Sequence, residues 1–331
     1  MSMNSFELHN PVSLKEAIAF LDPADANNRR VRLMAGGQDL LTEMKEHLVE
    51  PEAVVNLKHI PGLDALTYDA NTGLKIGALV PVAEVASHPD ILKRFPALAM
   101  AAESVGSLQI RHMGTMGGNL CQRPRCWYYR NEHILCLKKG GDRCYAAIGE
   151  NKYNAILGGG PSWIVHPSDT ATALVALNAS ITITGPRGSR QVPIERFFVL
   201  PKDNVRRENI LKPDEILTSI DVPNSAITEH SAYLKFRERT SMDWAMSAAA
   251  AALNVSGGKI TAARIVLGGV APIPWRVPKV EALLKGKAPD DQTLNAAAEA
   301  ALEGALALAH NGYKIPLTKT LVRRAIKTAL A

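Results

Sequence analysis

The sequence predicts an α+β fold with more than one domain. Strand-like and helix-like segments are mixed without the regular βαβ alternation of a doubly wound sheet. The 331 residues suffice for two or three domains at roughly 100–200 residues each. Hydrophobic residues make up 47% and charged residues 21%, ordinary for a globular chain that can bury a sizeable core.

Ser13-Leu14-Lys15-Glu16 fits a capping box, its hydroxyl and carboxylate satisfying free backbone donors at a helix start. Ala17, Ile18, Phe20 and Leu21 give that helix an apolar face, and Pro23 with Asp25-Ala26-Asn27-Asn28 ends it. Residues 31–35 read as a short strand, followed at once by Gly36-Gly37, and Leu40 and Leu41 open a helix. Residues 53–57 form a further strand and Pro61-Gly62 a turn. Residues 73–79 read as a strand, 82–86 and 96–105 as helices. Residues 111–119 are a polar, glycine-rich stretch. Residues 170–179 form an apolar helix, 180–184 alternate like a half-buried strand, and Pro186-Arg187-Gly188 makes a hairpin turn. Residues 201–230, rich in Pro, Asp, Asn and Arg, connect to a last domain. That domain comprises a segment at 233–239, an alanine-rich helix around 245–253, a strand at 263–267 and a long helix at 294–309.

The net charge of +6 is mild for this length. It permits an acidic ligand but does not argue for nucleic acid. The N-terminus has no basic segment followed by an apolar core, so no signal peptide is expected. No stretch approaches the ~20 apolar residues of a spanning helix, so no membrane insertion is expected. The expected location is the cytoplasm, with export to the periplasm alongside a partner subunit as the alternative.

Two glycine loops stand out. Ala35-Gly36-Gly37-Gln38-Asp39 lies between a strand and a helix, where glycine permits a tight turn and exposed N–H groups can cradle a pyrophosphate. It is not the G-x-G-x-x-G fingerprint, and a plain turn is the competing reading. Gly114-Thr115-Met116-Gly117-Gly118-Asn119 is a second anion-nest candidate, with the Thr115 hydroxyl and the Asn119 amide as extra polar groups. Arg111 and His112 precede it, either to pair with phosphate or simply to be solvated. Two nests in one chain suit a ligand with two phosphates, such as FAD.

All four cysteines, Cys121, Cys126, Cys136 and Cys144, fall in one segment with spacing C-x4-C-x9-C-x7-C. Such clustering favours metal ligation over disulfides in a reducing compartment. Four thiolates suit zinc or a 4Fe–4S cluster, and the spacing matches no standard motif of either. Arg123, Arg125, Arg130, Lys138, Lys139 and Arg143 supply positive charge that would stabilise thiolates. Asp169 is either a ribose contact or an acid at a helix start. Lys235 is either a phosphate or flavin contact or a solvated strand lysine. Asp243 is placed to cap the helix that follows it.

Taken in order, these segments resemble the FAD-binding medium subunits of carbon monoxide dehydrogenases and xanthine dehydrogenases. The matching segments are Ala35 to Asp39, Asn56-Leu57-Lys58-His59-Ile60-Pro61-Gly62-Leu63, Ile110-Arg111, Thr115-Met116-Gly117-Gly118, Pro167-Ser168-Asp169, Pro213-Asp214-Glu215-Ile216-Leu217, and Lys235 with Arg239 and Asp243. The resemblance runs from about residue 5 to about residue 285. It implies a vanillyl-alcohol-oxidase-type FAD-binding domain of two subdomains, residues 1–60 and 61–225, plus a smaller C-terminal α/β domain, 226–331. It also implies that Leu33, Ala35, Gly36, Gly37, Gln38, Asp39 and Leu40 wrap the pyrophosphate, together with Gly114, Thr115, Gly117, Gly118 and Asn119. Arg111 joins this cofactor set, Asp169 holds FAD by hydrogen bonding, and Leu217 and Lys235 contact the flavin side.

The stretch 121–163 departs from most of that family as an insertion. Similar insertions in bacterial aldehyde oxidoreductases and 4-hydroxybenzoyl-CoA reductase bind a 4Fe–4S cluster, and Cys126-Trp127-Tyr128-Tyr129 is closer to the former. The resemblance therefore implies an electron-transfer subunit with FAD and a 4Fe–4S cluster and no catalytic acid or base of its own. Its partners would be a molybdenum-cofactor large subunit, a 2Fe–2S small subunit and an external electron acceptor. The alternatives are a reductase of the 4-hydroxybenzoyl-CoA type and a non-catalytic, zinc-stapled binding protein.

Overall fold

A computed structural model describes residues 3–25 and 30–331. The chain first builds a small parallel sheet from β1 (Glu7–His9), α1 (Leu14–Ala19), β2 (Val31–Met34), α2 (Leu40–Lys45) and β3 (Ala53–Asn56), in the order β1-β3-β2. Ser13 caps α1 by accepting from the Glu16 amide at 3.2 Å, while the Glu16 carboxylate accepts from Val12 N at 2.9 Å. Part of the polar run expected to end that helix, Ala26-Asn27-Asn28, lies outside the described residues.

The second unit contains β4 (Leu66–Asp69), β5 (Gly73–Gly77), α3 (Val82–Ser87), α4 (Pro89–Arg94), α5 (Pro96–Glu103), α6 (Leu108–Met113) and α7 (Met116–Cys121). After the irregular cysteine segment come α8 (Asp169–Ala176), β6 (Ser180–Gly185), β7 (Gly188–Pro193) and β8 (Ile216–Val222). These strands form an antiparallel sheet ordered β4-β5-β8-β6-β7. Leu98, Leu174, Ile76 and Ile181 lie in the core that its helices share with it.

The third unit contains β9 (Ser231–Phe236), β10 (Ser247–Ser256), β11 (Lys259–Gly268) and β12 (Trp275–Arg276), then α9 (Pro278–Leu284), α10 (Asp291–Ala301) and α11 (Lys314–Leu330). Its sheet is antiparallel, ordered β12-β11-β10-β9. Among the described residues no helix is long and apolar enough to cross a membrane.

Five expectations need correction. The alanine-rich 245–253 is not a helix but most of β10, paired on both sides. Ala248, Ala250 and Ala252 enter the core of the second unit, whereas Ala249, Ala251 and Leu253 enter that of the third. A strand walled by two cores needs small side chains at a period of two, and that demand overrides the intrinsic helix preference of alanine. Asp243 therefore caps no helix; it accepts instead from the amides of Arg239 and Trp244, each at 3.0 Å.

The glycine-rich stretch 111–119, including the supposed loop 114–119, is mostly helical: it ends α6 and opens α7, capped by Ser107 and Thr115 through the amides of Ile110 and Gly118. The supposed connector 201–230 contains β8, the central strand of its sheet. The last-domain helix stops at Ala301 rather than 309, and α11 follows unanticipated.

Candidate functional site

A cavity of about 910 Å³ opens where the first unit, the second unit and the cysteine segment meet. Leu33, Ala35, Gly36, Gly37, Gln38, Asp39 and Leu40 line one wall, and Gly114, Thr115, Gly117, Gly118, Asn119 and Cys121 line another. Leu217 on β8 and the segment Met242-Asp243-Trp244 also face it. The structure thus brings together both glycine loops, one of which follows a strand and the other of which joins two helices.

The loops touch backbone to backbone. A Cβ built on Gly36 would lie 2.0 Å from the Met113 carbonyl oxygen, and Gly37 adopts φ +72°. Only glycine fits such an approach and such a φ. Among the described residues, no protein acceptor takes the amides of Gly36, Gly37, Gln38 or Asp39. The second loop differs. Met116 N donates to Val80 O at 2.9 Å, Gly117 N to Ala78 O at 2.8 Å, and Gly118 N to Thr115 Oγ1 at 3.2 Å. Gly117 is needed because a Cβ there would meet Ala78 Cβ at 2.8 Å. Asn119 Oδ1 accepts from Ser168 Oγ at 2.5 Å and Thr170 Oγ1 at 2.7 Å, tying α7 to α8.

The cysteine segment docks onto the first loop. Asp39 meets Arg125 at 2.6 Å and Arg130 at 2.7 Å, and accepts from the Arg123 amide at 2.7 Å. Burial opposes ionisation of Asp39, but these partners outweigh it and hold its carboxyl below the usual carboxylate range. Tyr129 donates to the buried Glu43 of α2 at 2.8 Å. Arg123 and Lys138 pair with the buried Glu208 at 2.7 and 2.5 Å. Arg206 and Lys212 add cations to the lining. Sequence reasoning missed Glu43, Tyr129, Glu208, Arg206 and Lys212; the only signal was the run of basic residues around the cysteines.

Three expected contacts lie elsewhere. Arg111 donates to Val105 O at 2.9 Å and does not line the cavity. Asp169 and Lys235 pair with each other at 2.8 Å, almost wholly buried, and Tyr233 donates to Asp169 at 2.5 Å. Asp169 lines a separate chamber of about 340 Å³, which also includes Cys126, Trp127, His166 and Trp244.

Cys121 ends α7, and burial pushes its thiol up to about 12. Cys126 lies in electrostatic reach of Cys144. Leu137 N donates to Arg143 O at 2.8 Å, closing the turn that carries Cys136 and Cys144. Tyr128 stacks on Tyr145 at 5.9 Å, drawing the Cys126 and Cys144 segments together. The Cys126 sulfur accepts from Asn154 Nδ2 at 3.8 Å and faces the amides of Tyr128 and Tyr129. Lys139 lies in electrostatic reach of Cys126 and Cys136, but burial outweighs the donors around Cys126 and pushes its thiol up. Thiolates on one zinc lie about 4 Å apart, given a Zn–S bond near 2.3 Å. Among the described residues no three His, Cys, Asp or Glu side chains are grouped to hold a single ion.

Comparison with known proteins bears on this geometry. Residues 4–225 match the family model of the FAD binding domain in molybdopterin dehydrogenase, and residues 231–329 that of the CO dehydrogenase flavoprotein C-terminal domain. The chain is 30% identical to the aldehyde oxidoreductase FAD-binding subunit of Escherichia coli (strain K12), over 91% of this chain and 92% of that one. It is 29% identical to the carbon monoxide dehydrogenase medium chain of Hydrogenophaga pseudoflava, over 98% and 97%. Among solved structures, a carbon monoxide dehydrogenase of Hydrogenophaga pseudoflava superposes with a TM-score of 0.77 at 28% identity, over 100% of this chain and 99% of that one. Quinoline 2-oxidoreductase of Pseudomonas putida 86 does so at 0.76 and 26%, over 100% and 99%. The chain therefore belongs to the family of FAD-binding medium subunits of the molybdenum hydroxylases, which includes those of carbon monoxide and xanthine dehydrogenases.

Proposed function

We propose that this chain carries electrons between iron–sulfur centres and an external acceptor, through FAD seated in the 910 Å³ cavity. The observation that carries the reading is the row of amides at Gly36, Gly37, Gln38 and Asp39, residues that line that cavity and whose amides have no protein acceptor among the described residues. Such donors suit a pyrophosphate, and Arg206 and Lys212 add charge of the right sign. Thr115 and Asn119 complete the polar wall with side chains rather than amides, and Leu217 offers an apolar surface to the flavin.

FAD supplies the redox chemistry when bound; the chain binds and orients it. No proton-transfer residue is assigned. The FAD-binding domain is read as two subdomains of the vanillyl-alcohol-oxidase type, 1–60 and 61–225, followed by a C-terminal domain, 226–331, a reading supported by the presence of three separate sheets. A large subunit with the molybdenum cofactor and a small subunit with 2Fe–2S clusters complete the enzyme, and the aldehyde oxidoreductase relative points to aldehydes as its substrate class. Cys121, Cys126, Cys136 and Cys144 are read as the ligands of a 4Fe–4S cluster, a reading supported by Lys139 in electrostatic reach of Cys126 and Cys136.

The test is an anaerobic preparation of the complex, analysed for flavin, iron, sulfide and zinc. Flavin with acid-labile sulfide supports the reading. Flavin with zinc and no sulfide removes the cluster, and absence of flavin after reconstitution removes the whole proposal.

A further inference from the structure

The limb of the cysteine segment that reaches Cys126 is held from the far end of the chain. Asn311, wholly buried, donates from Nδ2 to the carbonyls of Asn154 and Ala155, each at 3.2 Å. On either side, Lys314 Nζ donates to Tyr153 O at 2.8 Å, and Leu306 N to Ile156 O at 2.8 Å. Asn154 is itself buried. Its Nδ2 bridges Trp163 O at 3.0 Å and Cys126 Sγ at 3.8 Å. The stretch between α10 and α11 therefore fixes the backbone of the residue whose amide meets the sulfur.

We propose that Asn154, clamped by Asn311, is a positioning residue that sets the reduction potential of the cysteine centre through its hydrogen bond to Cys126. This rests on the cluster reading above. A hydrogen bond to a ligating sulfur withdraws negative charge and stabilises the reduced, more negative form, which raises the potential. Such outer partners tune a centre without ligating it. Asn154 is suited to that role because its Nδ2 donates and its backbone is immobilised on both sides.

The experiment is a redox titration of the full complex, followed by the iron–sulfur signal in electron paramagnetic resonance, with iron and flavin measured on the same samples. Asn154→Leu keeps the size and removes the donor. The expected result is a midpoint more negative than wild type, with iron and flavin contents unchanged. An unchanged midpoint with iron intact overturns the proposal. Should Asn154→Leu lose iron, Asn154→Ser, which keeps a shorter donor, is titrated in the same way. A shifted midpoint there supports the positioning role; loss of iron from that variant as well, with flavin retained, overturns it in favour of a purely structural role. Loss of iron and flavin together from both variants overturns it in favour of a general folding role. Wild-type complex without iron overturns the cluster reading and this inference with it, a failure visible before any variant is made.

Discussion

The two glycine loops touch at Gly36 and Met113, yet their backbones differ in what they leave open. From Gly36 to Asp39 the amides find no protein acceptor among the described residues. At the start of α7, the amides of Met116, Gly117 and Gly118 are taken by Val80, Ala78 and Thr115. Glycine in the first loop admits the Met113 carbonyl and leaves donors open; in the second it permits close packing of α7 against Ala78. Glycine content alone does not separate a nest from a staple; the fate of each N–H does.

Gly36→Val gives the largest expected effect on the ligand. The added side chain collides with the Met113 carbonyl and forces the two loops apart, and overpacking at such a contact costs about 1–3 kcal/mol. FAD affinity should fall about 100-fold, the upper end of that range, with the third unit still folded. Flavin fluorescence titration checks it, and binding within about threefold of wild type would break the contrast between the loops.

Lys235→Met should act on stability instead. It strands the buried Asp169 without its cation, a change worth about 3–5 kcal/mol. Denaturant titration should show that loss, while folded protein keeps FAD affinity within a few-fold. A selective loss of flavin would move Asp169 and Lys235 into the cofactor's surroundings.

A pH dependence should come from behind the second loop. Burial lowers His166 to about 4 from an ordinary 6.5. The folded state keeps the ring neutral, while the unfolded chain takes up a proton below its ordinary value. Stability present above about pH 6.5 is therefore lost as the pH falls towards 4, by on the order of 3 kcal/mol. His166→Phe should flatten that slope, and an unchanged slope would assign it to other groups.

The smallest effect is expected from Thr115→Val. Losing the cap of α7 costs about 1 kcal/mol, with FAD affinity lowered only a few-fold. If flavin binding collapsed instead, the second loop would be a grip and not a staple.

The first glycine loop was legible in the sequence because a turn that needs glycine, as at Gly37, has few substitutes; the second was legible only as glycine content, since Gly117 and Gly118 lie inside α7. Loop-to-loop contact was not, since it depends on a meeting between residues 36 and 113 that no local pattern encodes. The alanine run of β10 misled for a related reason: its period of two is invisible when every position carries the same small residue, and only the two flanking cores reveal it. Asp169 and Lys235 were each singled out as polar groups near the cofactor, but their mutual pairing spans 66 positions. The basic run beside the cysteines was visible as charge, whereas its partners Asp39 and Glu208 come from distant parts of the chain.

Competition at the first loop tests the central claim most directly. Apoprotein would be titrated with FAD in the presence of ADP or of riboflavin, each a part of the cofactor. If open amides at residues 36–39 grip the diphosphate, ADP displaces FAD and riboflavin alone binds far more weakly than FAD. Riboflavin binding as tightly as FAD, with ADP unable to compete, would contradict that grip.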